Sequence, residues 1–368
     1  MATVKRRGSS WQATYRGPDG RERTKTFRLQ GEALKWAADE VSALGKGTWV
    51  DPKAGKVTFQ TYGEKWRAIQ IHRPSTAAQV ETNLRRHVYP TFGDRSIGSI
   101  RTSEVQAWVR GLAGVLEPST VELVYRYLVA IFRAAVADKI IPESPAVAVK
   151  LPRAEPKRIE PLETSVVQAL IEAIPDRYRA LVVLAAGTGL RQGEAFGVTR
   201  DRVDFLRRQL KVDRQLVLLP GAGPTFGPPK TDTSYRTVPL PAVVLDSLAA
   251  HVGRYEVGDH DLLFTNDAGE PIRRTRFSDI WRPAVKAAGA PAGTGFHALR
   301  HYYASLLIRH GESVTTVQAR LGHKTAAETL NTYSHLWPDS EDRTRASVDE
   351  VLGTASLADI TRTSAPLP

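Results

Sequence analysis

Five prolines within twenty residues limit what this chain can fold into more than any other feature. They are Pro142, Pro145, Pro152, Pro156 and Pro161, in the stretch IPESPAVAVKLPRAEPKRIEPL. Proline has no backbone N–H donor and clashes with the preceding helical turn, so no continuous helix passes through this stretch. It predicts an extended connector over residues 151–161 and a domain boundary there. Two or three domains suit a chain of 368 residues, which is too long for one typical core.

The net charge of +12 is unevenly distributed along the chain. Residues 1–56 carry 12 Lys and Arg against 6 Asp and Glu, and residues 57–150 carry 12 against 8, so ten of the twelve excess positive charges precede residue 151. Such asymmetry favours a nucleic-acid partner, because phosphate neutralisation releases counterions. The alternatives are a solubilising basic face or attraction to anionic lipid. The early basic run has no amphipathic helix with a Trp/Leu face, which argues against a membrane partner.

Composition excludes several other classes of protein. The chain has no cysteine, so disulfides, thiolate metal sites and cysteine catalysis are excluded. No apolar run approaches the ~20 residues that span a bilayer, and the basic N-terminus lacks the apolar segment of a secretory signal. We therefore expect a cytoplasmic protein.

The first 56 residues predict a small DNA-binding domain. Two alternating segments, Trp11–Arg16 and Arg23–Leu29, flank the turn sequence GPDG and predict a hairpin with Arg and Lys on one face. A helix is expected from Gly31, with an apolar stripe of Leu34, Ala37/Ala38, Val41 and Leu44. A basic β-ribbon backed by a helix can enter a DNA groove, whereas the alternative is an accessory domain with solvated charges. The candidate DNA contacts are Arg6, Arg7, Arg16, Arg21, Arg23 and Lys25.

Residues 57–150 predict a helical domain. Ser103–Gln106 and Ser119–Glu122 match capping boxes, and the second opens a helix with an apolar stripe of Val124, Tyr127/Leu128, Ile131 and Ala135. Four arginines are further candidates for phosphate contacts, although each taken alone suits a solvated helix face. They are Arg85, Arg86, Arg126 and Arg133.

The third block, residues 162–345, mixes helices with short strands, and 346–368 form a tail. TSVVQALIEAI and YRALVVLAAGTGL predict helices, and GFHALRHYYASLLIRHG begins a second helical part. QLKVDRQLVLL and SYRTVPL predict strands, with turn residues between them. The final stretch, SLADITRTSAPLP, is expected to be weakly ordered.

Four short motifs follow one another in this block and TYSH ends the series. The four are GTGLRQGE (187–194), PPKTDTSYR (228–236), HALRH (297–301) and LGHK (321–324). GTGLRQGE follows a predicted helix and lacks the dinucleotide-binding glycine spacing. HALRH spaces His297 and His301 as zinc ligands are spaced, but Ala298 replaces the metalloprotease glutamate, and lone helical histidines usually pack or are solvated.

Taken together, the motif residues suit attack on a phosphodiester. Arg191 and Arg300 can bind phosphate oxygens bidentately, and His297 shares a helix face with Arg300. Tyr333 would be the nucleophile. A free phenol has a pKa near 10 and is ionised in about one molecule in a thousand at pH 7, so we expect nearby Arg and protonated His to lower its pKa and a histidine to accept its proton.

Lys230, in the predicted hairpin, is the best-placed general acid for the leaving alkoxide. His323 follows Gly322, which permits close approach to a ligand. The exchange of one phosphodiester for another conserves bond energy, so we expect neither a cofactor nor a metal.

In this order the motifs resemble the catalytic signature of the tyrosine recombinases, the phage-integrase family. The similarity covers about 180 residues. It implies that Arg191 and Arg300 bind phosphate, that Lys230 is the general acid, and that Tyr333 forms a 3′-phosphotyrosyl link. His297 and His323 match the two family histidines. Glu194 matches an acidic position, which we interpret as a support for the arginine.

The resemblance implies a multidomain, mainly α fold with small antiparallel sheets. An arm-type DNA-binding domain (1–56), a helical, SAM-like core-binding domain (57–150) and a mixed α+β catalytic domain (162–345) are expected. A helix in SEDRTRASVDEVLG is a candidate for donation to a neighbouring protomer. Partners implied by the family are double-stranded core and arm attachment sites, a homotetramer on DNA, a DNA-bending host factor and a directionality factor, in the nucleoid of a bacterial host.

Three alternative functions remain open. A type IB topoisomerase uses the same chemistry but needs no second class of DNA site, which the N-terminal domain implies. A non-enzymatic regulator would not need Tyr333. An integrase of a conjugative transposon differs from a phage integrase in biology more than in chemistry.

Overall fold

The computed structural model describes residues 2–153, 158–218, 223–229, 231–337 and 341–353. The chain forms two compact units, Met1–Pro156 and Lys157–Pro368. The division between them falls inside the predicted proline-rich connector. Both units are mainly helical with small antiparallel sheets, as predicted. Among the described residues, no helix combines the length and apolarity needed to cross a bilayer.

The first unit begins with a three-stranded antiparallel sheet backed by a helix. The strands are β1 (Thr3–Arg7), β2 (Ser10–Arg16) and β3 (Glu22–Phe27), and the helix is α1 (Gln30–Gly45). The predicted hairpin is confirmed as β2–β3, and β1 adds a strand that was not predicted.

The predicted apolar stripe of α1 is confirmed at Ala37 and wrong at Leu34 and Val41. Ala33 and Ala37 are buried against the sheet, whereas Leu34 and Val41 are exposed. The small alanines let α1 lie close to β2, where Ala13 and Tyr15 are buried. Trp36 packs edge-on against Tyr15 with ring centroids 5.3 Å apart.

The rest of the first unit is a helical bundle, as predicted. Its helices are α2 (Phe59–Ala68), α3 (Pro74–Asn83), which continues into a π-helical turn (Leu84–Val88), α4 (Tyr89–Phe92), α5 (Thr102–Ala113) and α6 (Pro118–Ala137). The predicted stripe of α6 is confirmed at Val124, Leu128, Ile131 and Ala135, all fully buried.

Both predicted capping boxes are wrong in position. Helix α5 starts one residue before Ser103, and the Glu104 carboxylate accepts the Arg101 backbone N–H at 2.9 Å. Helix α6 starts at Pro118, one residue before Ser119. Proline suits a first helical position because its missing N–H would lack an intrahelical partner there.

The second unit has nine helices and five short strands, counted over the described residues, with one large hydrophobic core and a second, smaller cluster of buried residues that contains Tyr333. The helices are α7 (Thr164–Ala173), α8 (Asp176–Thr188), α9 (Gln192–Phe196), α10 (Ala242–Arg254), α11 (Arg274–Ala287), α12 (Ala298–Arg309), α13 (Val314–Leu321), α14 (Ala326–Tyr333) and α15 (Glu341–Val348). The strands are β4 (Val203–Asp204), β5 (Gln209–Val212), β6 (Gln215–Leu218), β7 (Pro224–Gly227) and β8 (Arg236–Pro239).

These strands form two separate sheets. One sheet has the order β4-β5-β8 and the other is the hairpin β6-β7. The run QLKVDRQLVLL, predicted as one strand, therefore divides at Asp213 and Arg214, and its halves join different sheets. Asp213 lies at this break, where its carboxylate accepts from Arg202 and Arg214.

Residues 344–352, near the end of the described part of the chain, are exposed. Helix α15 and a π-helical turn (Asp349–Gly353) confirm the predicted C-terminal helix. Val348, Val351 and Leu352 are exposed, at 48, 70 and 63%. The weakly ordered tail expected for SLADITRTSAPLP lies outside the described residues.

Candidate active site

The motif residues come together from four helices of the second unit. Helix α8 ends at Gly189, whose φ of +63° is left-handed, and Arg191 caps the start of α9. His297 caps the start of α12, which carries Arg300, and Tyr333 is the last residue of α14. A Cβ at Gly189 would meet the Tyr303 ring at 2.5 Å, so this sharp turn requires glycine.

Glu194 holds Arg191 in place from within the core. Its carboxylate accepts the Arg191 backbone N–H at 3.0 Å and the Arg191 guanidinium at 3.1 Å. It also accepts Arg236 Nη2 at 2.9 Å and is only 3% exposed. Burial raises the pKa of Glu194, but Arg236 and Arg191 lower it by more, so the net shift is downward and the carboxylate is ionised. The support expected of Glu194 thus has a structural basis.

Three arginines converge on the C-terminus of α13. Arg236 Nε donates to the carbonyl of Arg320 at 2.9 Å, Arg300 Nη2 to that of Leu321 at 2.6 Å, and Arg191 Nη2 to that of Gly322 at 3.1 Å. The last carbonyls of a helix lack intrahelical partners and carry partial negative charge, so guanidinium groups are favoured there. The LGHK turn is thereby tied to both predicted phosphate-binding arginines.

Arg300 is the more deeply buried of these two arginines. It is 2% exposed, and its Nη1 donates to the Gly189 carbonyl at 2.7 Å. Burial, followed by the charges of Arg191 and Arg236, lowers its pKa to about 9, which leaves the guanidinium charged at neutral pH. The Arg191 side chain is 23% exposed and is the more accessible of the two.

Tyr333 lies inside the site and is only 1% exposed. Its hydroxyl is 2.8 Å from His301 Nδ1, and its ring lies parallel to that of His323, with centroids 6.3 Å apart. Burial raises its pKa to about 12, although Arg300 and Arg191 lower it. The expected lowering of the Tyr333 pKa is therefore wrong, because the desolvation of the phenolate outweighs the nearby charges.

The three histidines around Tyr333 are neutral at pH 7. Burial, with positive charge nearby, lowers the pKa of His297, His301 and His323 to about 4 each. His323 Nδ1 is 2.8 Å from Thr329 Oγ1, and the ring of His297 meets that of His301 edge-on, with centroids 4.8 Å apart. The protonated histidine expected beside Tyr333 is therefore also wrong for the folded chain.

Lys230, the predicted general acid, lies outside the described residues. The prediction placed it within a hairpin between QLKVDRQLVLL and SYRTVPL, but the hairpin β6-β7 spans Gln215–Gly227 and ends before it. On its other side, Thr231 Oγ1 is 2.9 Å from Ser234 Oγ, and Ser234 Oγ accepts from Arg191 Nη1 at 3.1 Å. A two-step hydrogen-bond link thus connects the neighbour of Lys230 to Arg191.

Sequence reasoning missed three residues of this site. Ser234 and Arg236 lie in the motif PPKTDTSYR, and their contacts to Arg191 and Glu194 depend on pairing that no local pattern reveals. His301 was weighed only as a zinc ligand. Among the described residues, no group of three or more His, Asp or Glu side chains is placed to hold a metal ion.

The N-terminal basic residues lie on both faces of the sheet, so the expectation of a single basic face is wrong. Cross-strand pairing places Arg23 opposite Tyr15 and Lys25 opposite Ala13, on the face that packs against α1. Arg23 donates to Asp19 and Asp51.

Arg6 pairs with Trp11 and also lies on the α1 side. The opposite face, called here the outer face, carries Lys5, Arg7, Gln12, Thr14, Arg16, Thr24 and Thr26. Arg16 forms an exposed ion pair with Glu22 at 3.2 Å, and Arg21 is exposed in the β2–β3 turn.

The helical candidates for phosphate contacts are all exposed. Arg85 and Arg86 lie in the π-helical turn after α3. Arg126 and Arg133 are seven residues apart on α6 and share one face of that helix.

Comparisons with known proteins identify the relatives of this chain. Residues 160–339 match the model of the phage integrase family, and residues 59–151 match the model of the phage integrase central domain. A putative prophage phiRv2 integrase of Mycobacterium tuberculosis is 30% identical over 341 residues, covering 88% of each chain. An integrase of Mycobacterium phage D29 is 27% identical, covering 85% of this chain and 87% of that protein.

Solved structures share the fold. The Tn1549 transposon integrase in complex with a circular intermediate DNA superposes with a TM-score of 0.69 at 22% identity, covering 80% of this chain and 99% of that one. A lambda integrase dimer bound to a COC′ core site gives a TM-score of 0.61 at 19% identity, covering 91% and 96%. The chain belongs to the phage integrase family of tyrosine-type site-specific recombinases.

Proposed function

We propose that this chain integrates the DNA of a phage or another integrative element, and excises it, through a 3′-phosphotyrosine at Tyr333. The observation that carries this proposal is the placement of the Tyr333 hydroxyl among two arginines and three imidazoles drawn from α9, α12, α13 and α14. Relatives named as prophage and phage integrases favour a phage. A 26% identical relative, named ICEBs1 integrase of Bacillus subtilis, supports a conjugative element as the second candidate.

The roles of the site residues follow from their charge and position. Arg191 and Arg300 bind the non-bridging oxygens of the scissile phosphate, and Glu194 keeps Arg191 in position. His297 and His323 lie beside them and donate to the same oxygens as negative charge develops. Lys230 protonates the departing 5′ oxygen.

The reaction is a balanced exchange of esters. The Tyr333 O–H bond breaks, with its proton passing to a neighbouring histidine, as the Tyr333 oxygen forms a bond to phosphorus. The bond from phosphorus to the 5′ oxygen breaks, and Lys230 supplies a proton to that oxygen. A 5′ hydroxyl from another strand reverses each step and releases Tyr333. One phosphodiester is made for each one consumed, so no nucleotide cofactor is required, and the arginines supply the charge that a metal provides elsewhere.

A nicked duplex spanning the element's own attachment core tests this proposal. Cleavage next to the nick releases a short strand and traps the enzyme on DNA, so the wild-type chain should give an SDS-resistant adduct in EDTA. Tyr333→Phe should bind the same duplex and give no adduct. An adduct formed by Tyr333→Phe, or one that requires Mg²⁺, would contradict the assignment. Supercoil relaxation without strand exchange between sites would favour a topoisomerase instead.

The first unit supplies the remaining DNA contacts in this proposal. Residues 1–56 bind arm-type sites, and residues 57–150 bind the core site together with the catalytic domain, through Arg85, Arg86, Arg126 and Arg133. The outer face of the sheet suits a DNA groove, because it exposes cationic ends beside hydroxyl and amide groups that can contact base edges. Arg23 and Lys25 lie on the α1 side. Arg23 donates to a carboxylate, and the Lys25 ammonium lies over an aromatic ring.

A pair of matched double variants tests the assignment of faces. Lys5→Gln with Arg7→Gln changes the outer face, whereas Arg6→Gln with Lys25→Gln removes the same charge from the α1 side. We expect the first pair to weaken binding to arm-site duplexes at least about tenfold and the second to have a smaller effect. Equal losses for both pairs would show that charge alone, and not the outer face, directs binding.

Assembly on DNA is the last part of the proposal. The lambda integrase has been solved as a tetramer bound to a Holliday junction. In this chain, exposed Val348, Val351 and Leu352 near α15 offer an apolar surface for a neighbouring protomer. A DNA-bending host factor and a directionality factor complete the assembly in the nucleoid. Replacing the three side chains with Ser should leave cleavage of single core sites intact and impair recombination between two.

A further inference from the structure

We propose that His301 is the proton acceptor for the Tyr333 nucleophile during cleavage and its proton donor during rejoining. This inference rests on the proposed role of Tyr333 and adds to it the group that moves the nucleophile's proton. The motif HALRH contributes His297 and Arg300 to the expected site, whereas His301 has so far no assigned task.

Distance distinguishes His301 from the other imidazoles. Its Nδ1 is 2.8 Å from the Tyr333 hydroxyl, within the range for a hydrogen bond. His323 stacks parallel to the Tyr333 ring, and its Nδ1 meets Thr329 Oγ1 at 2.8 Å. The ring of His297 meets the edge of His301 and not the hydroxyl.

The geometry permits a single tautomer for this role. Tyr333 keeps its proton at neutral pH, and a neutral imidazole has one nitrogen that accepts and one that donates. With Nδ1 accepting the phenol proton, Nε2 carries the ring hydrogen. His301 lies on α12, one residue after buried Arg300, and this helix holds its ring in position. Tyr333 lies at the end of α14.

The transfer balances in both directions. As the Tyr333 oxygen bonds to phosphorus, its O–H bond breaks and the proton moves to His301 Nδ1, giving an imidazolium. In rejoining, the departing Tyr333 oxygen takes that proton back. Because burial and Arg300 disfavour the imidazolium, the transfer accompanies bond formation to phosphorus and does not precede it. The bound phosphodiester adds negative charge that favours the imidazolium during the step.

Substitution by Asn separates hydrogen bonding from proton transfer. In His301→Asn, the amide oxygen occupies the approximate position of Nδ1 and can accept the hydrogen bond, but it cannot take a proton at neutral pH. The exposed His310 at the end of the same helix provides the matched control His310→Asn. The probe is the nicked attachment-core duplex, and the rate of adduct formation is measured in a single turnover with the full chain.

We expect His301→Asn to bind the duplex normally and to form the adduct at least about a hundredfold more slowly, while His310→Asn matches the wild type. A rate for His301→Asn within threefold of the wild type would overturn the proposal. If Tyr333→Phe itself formed an adduct, the proposed nucleophile would be wrong, which is a distinguishable failure.

Two further measurements sharpen the test, and the second needs no variant, so it stays decisive if His301→Asn folds poorly. With sulfur in place of the bridging 5′ oxygen, the leaving group needs no proton donor, so the ratio of wild-type to His301→Asn rates should persist. A ratio that falls to one would place His301 on the leaving-group side and overturn the proposal. In ¹⁵N NMR of the wild-type chain, His301 should show an unprotonated Nδ1 at pH 7, and a protonated Nδ1 would contradict the assigned tautomer.

Discussion

At the scale of single residues, the site is controlled by burial as much as by charge. The positive charge of Arg191 acts on both Tyr333 and Glu194, but only Glu194 has its pKa lowered, while that of Tyr333 rises to about 12. The difference lies in direct contact. Two guanidinium groups hydrogen-bond to Glu194, whereas the Tyr333 hydroxyl faces the neutral ring of His301. Activation of the nucleophile therefore depends on the bound phosphate and on proton transfer, not on a preformed phenolate.

Glu194→Gln should destabilise the second unit and reduce cleavage. The variant leaves the buried charges of Arg191 and Arg236 without their counterion, a loss of about 3 kcal/mol or more in the free energy of unfolding. Urea unfolding at pH 7 measures the change. Glu312→Gln, at an exposed position, should leave stability nearly unchanged. A loss below about 1 kcal/mol for Glu194→Gln would show that the arginines find other partners.

The three site histidines should make stability depend on pH in a defined window. An unfolded histidine binds its proton near pH 6.5, but His297, His301 and His323 do so only near pH 4 in the folded chain. Between these values the unfolded state holds more protons, so the free energy of unfolding rises with pH and reaches its full value above 6.5. Each group contributes at most about 1.4 kcal/mol per pH unit.

The midpoints of urea unfolding, measured between pH 5 and 7, give this slope. Glu194 does not interfere in this range, because its lowered pKa confines its effect on stability to more acidic solutions. Combining His297→Asn with His301→Asn should flatten the dependence. An unchanged slope in this double variant would show that other groups titrate in the window.

At the scale of helices and strands, the hydrophobic periodicity predicted the helices, whose positions depend mainly on local sequence. The stripe of α6 and the helix from Gly31 were both found, because apolar residues at helical spacing are typical of a helix. The prediction missed that α1 turns Ala33, and not Leu34 or Val41, towards the sheet. It also missed that the run QLKVDRQLVLL divides at Asp213. In both cases the deciding contacts join separate segments of the chain: the sheet that faces Ala33, and the pairing of the two halves of the run with different strands, β8 and β7. The catalytic motifs were recognisable, but the arginine contacts to the end of α13 were not, since they join residues up to 131 positions apart.

Gly322→Ala should disturb the site through this helix end. Gly322 ends α13 at φ +64°, and an added Cβ would meet Arg236 Nη1, the Ser234 Cα and the Thr233 carbonyl, each at 3.1 Å. Gly311→Ala is the matched control, because Gly311 has φ +83° with no atom within 4 Å of the added carbon. In both variants the new alanine must adopt a left-handed backbone conformation, which costs roughly 1–2 kcal/mol.

Only Gly322→Ala should also lower the cleavage rate, by about tenfold or more, because the Gly322 carbonyl accepts from Arg191. Thermal unfolding and adduct formation measure the two effects. Equal rates for Gly322→Ala and Gly311→Ala would show that the contact between α13 and Arg191 does not position the arginine for cleavage.

At the scale of the whole molecule, most of the excess positive charge lies in the first unit, whereas the candidate catalytic residues lie in the second. The first 150 residues hold ten of the twelve excess positive charges, whereas the residues around Tyr333 all belong to the second unit. Phosphate neutralisation dominates affinity for DNA and depends steeply on salt. This division predicts that the occupancy of DNA and the rate of cleavage respond to different parts of the chain.

Footprinting on a DNA fragment that carries the complete attachment region tests this division. The wild-type chain should protect the core and separate flanking arm sites. Lys5→Gln with Arg7→Gln should lose the flanking protections first as salt is raised, because both side chains lie on the outer face. It should retain the core footprint and the rate of adduct formation on the isolated core duplex.

Tyr333→Phe should show the reverse, with every protection present and no adduct. Loss of the core footprint in the sheet variant would mean that the two regions bind one continuous site, which would remove the distinction between arm and core DNA on which the proposed integrase function relies.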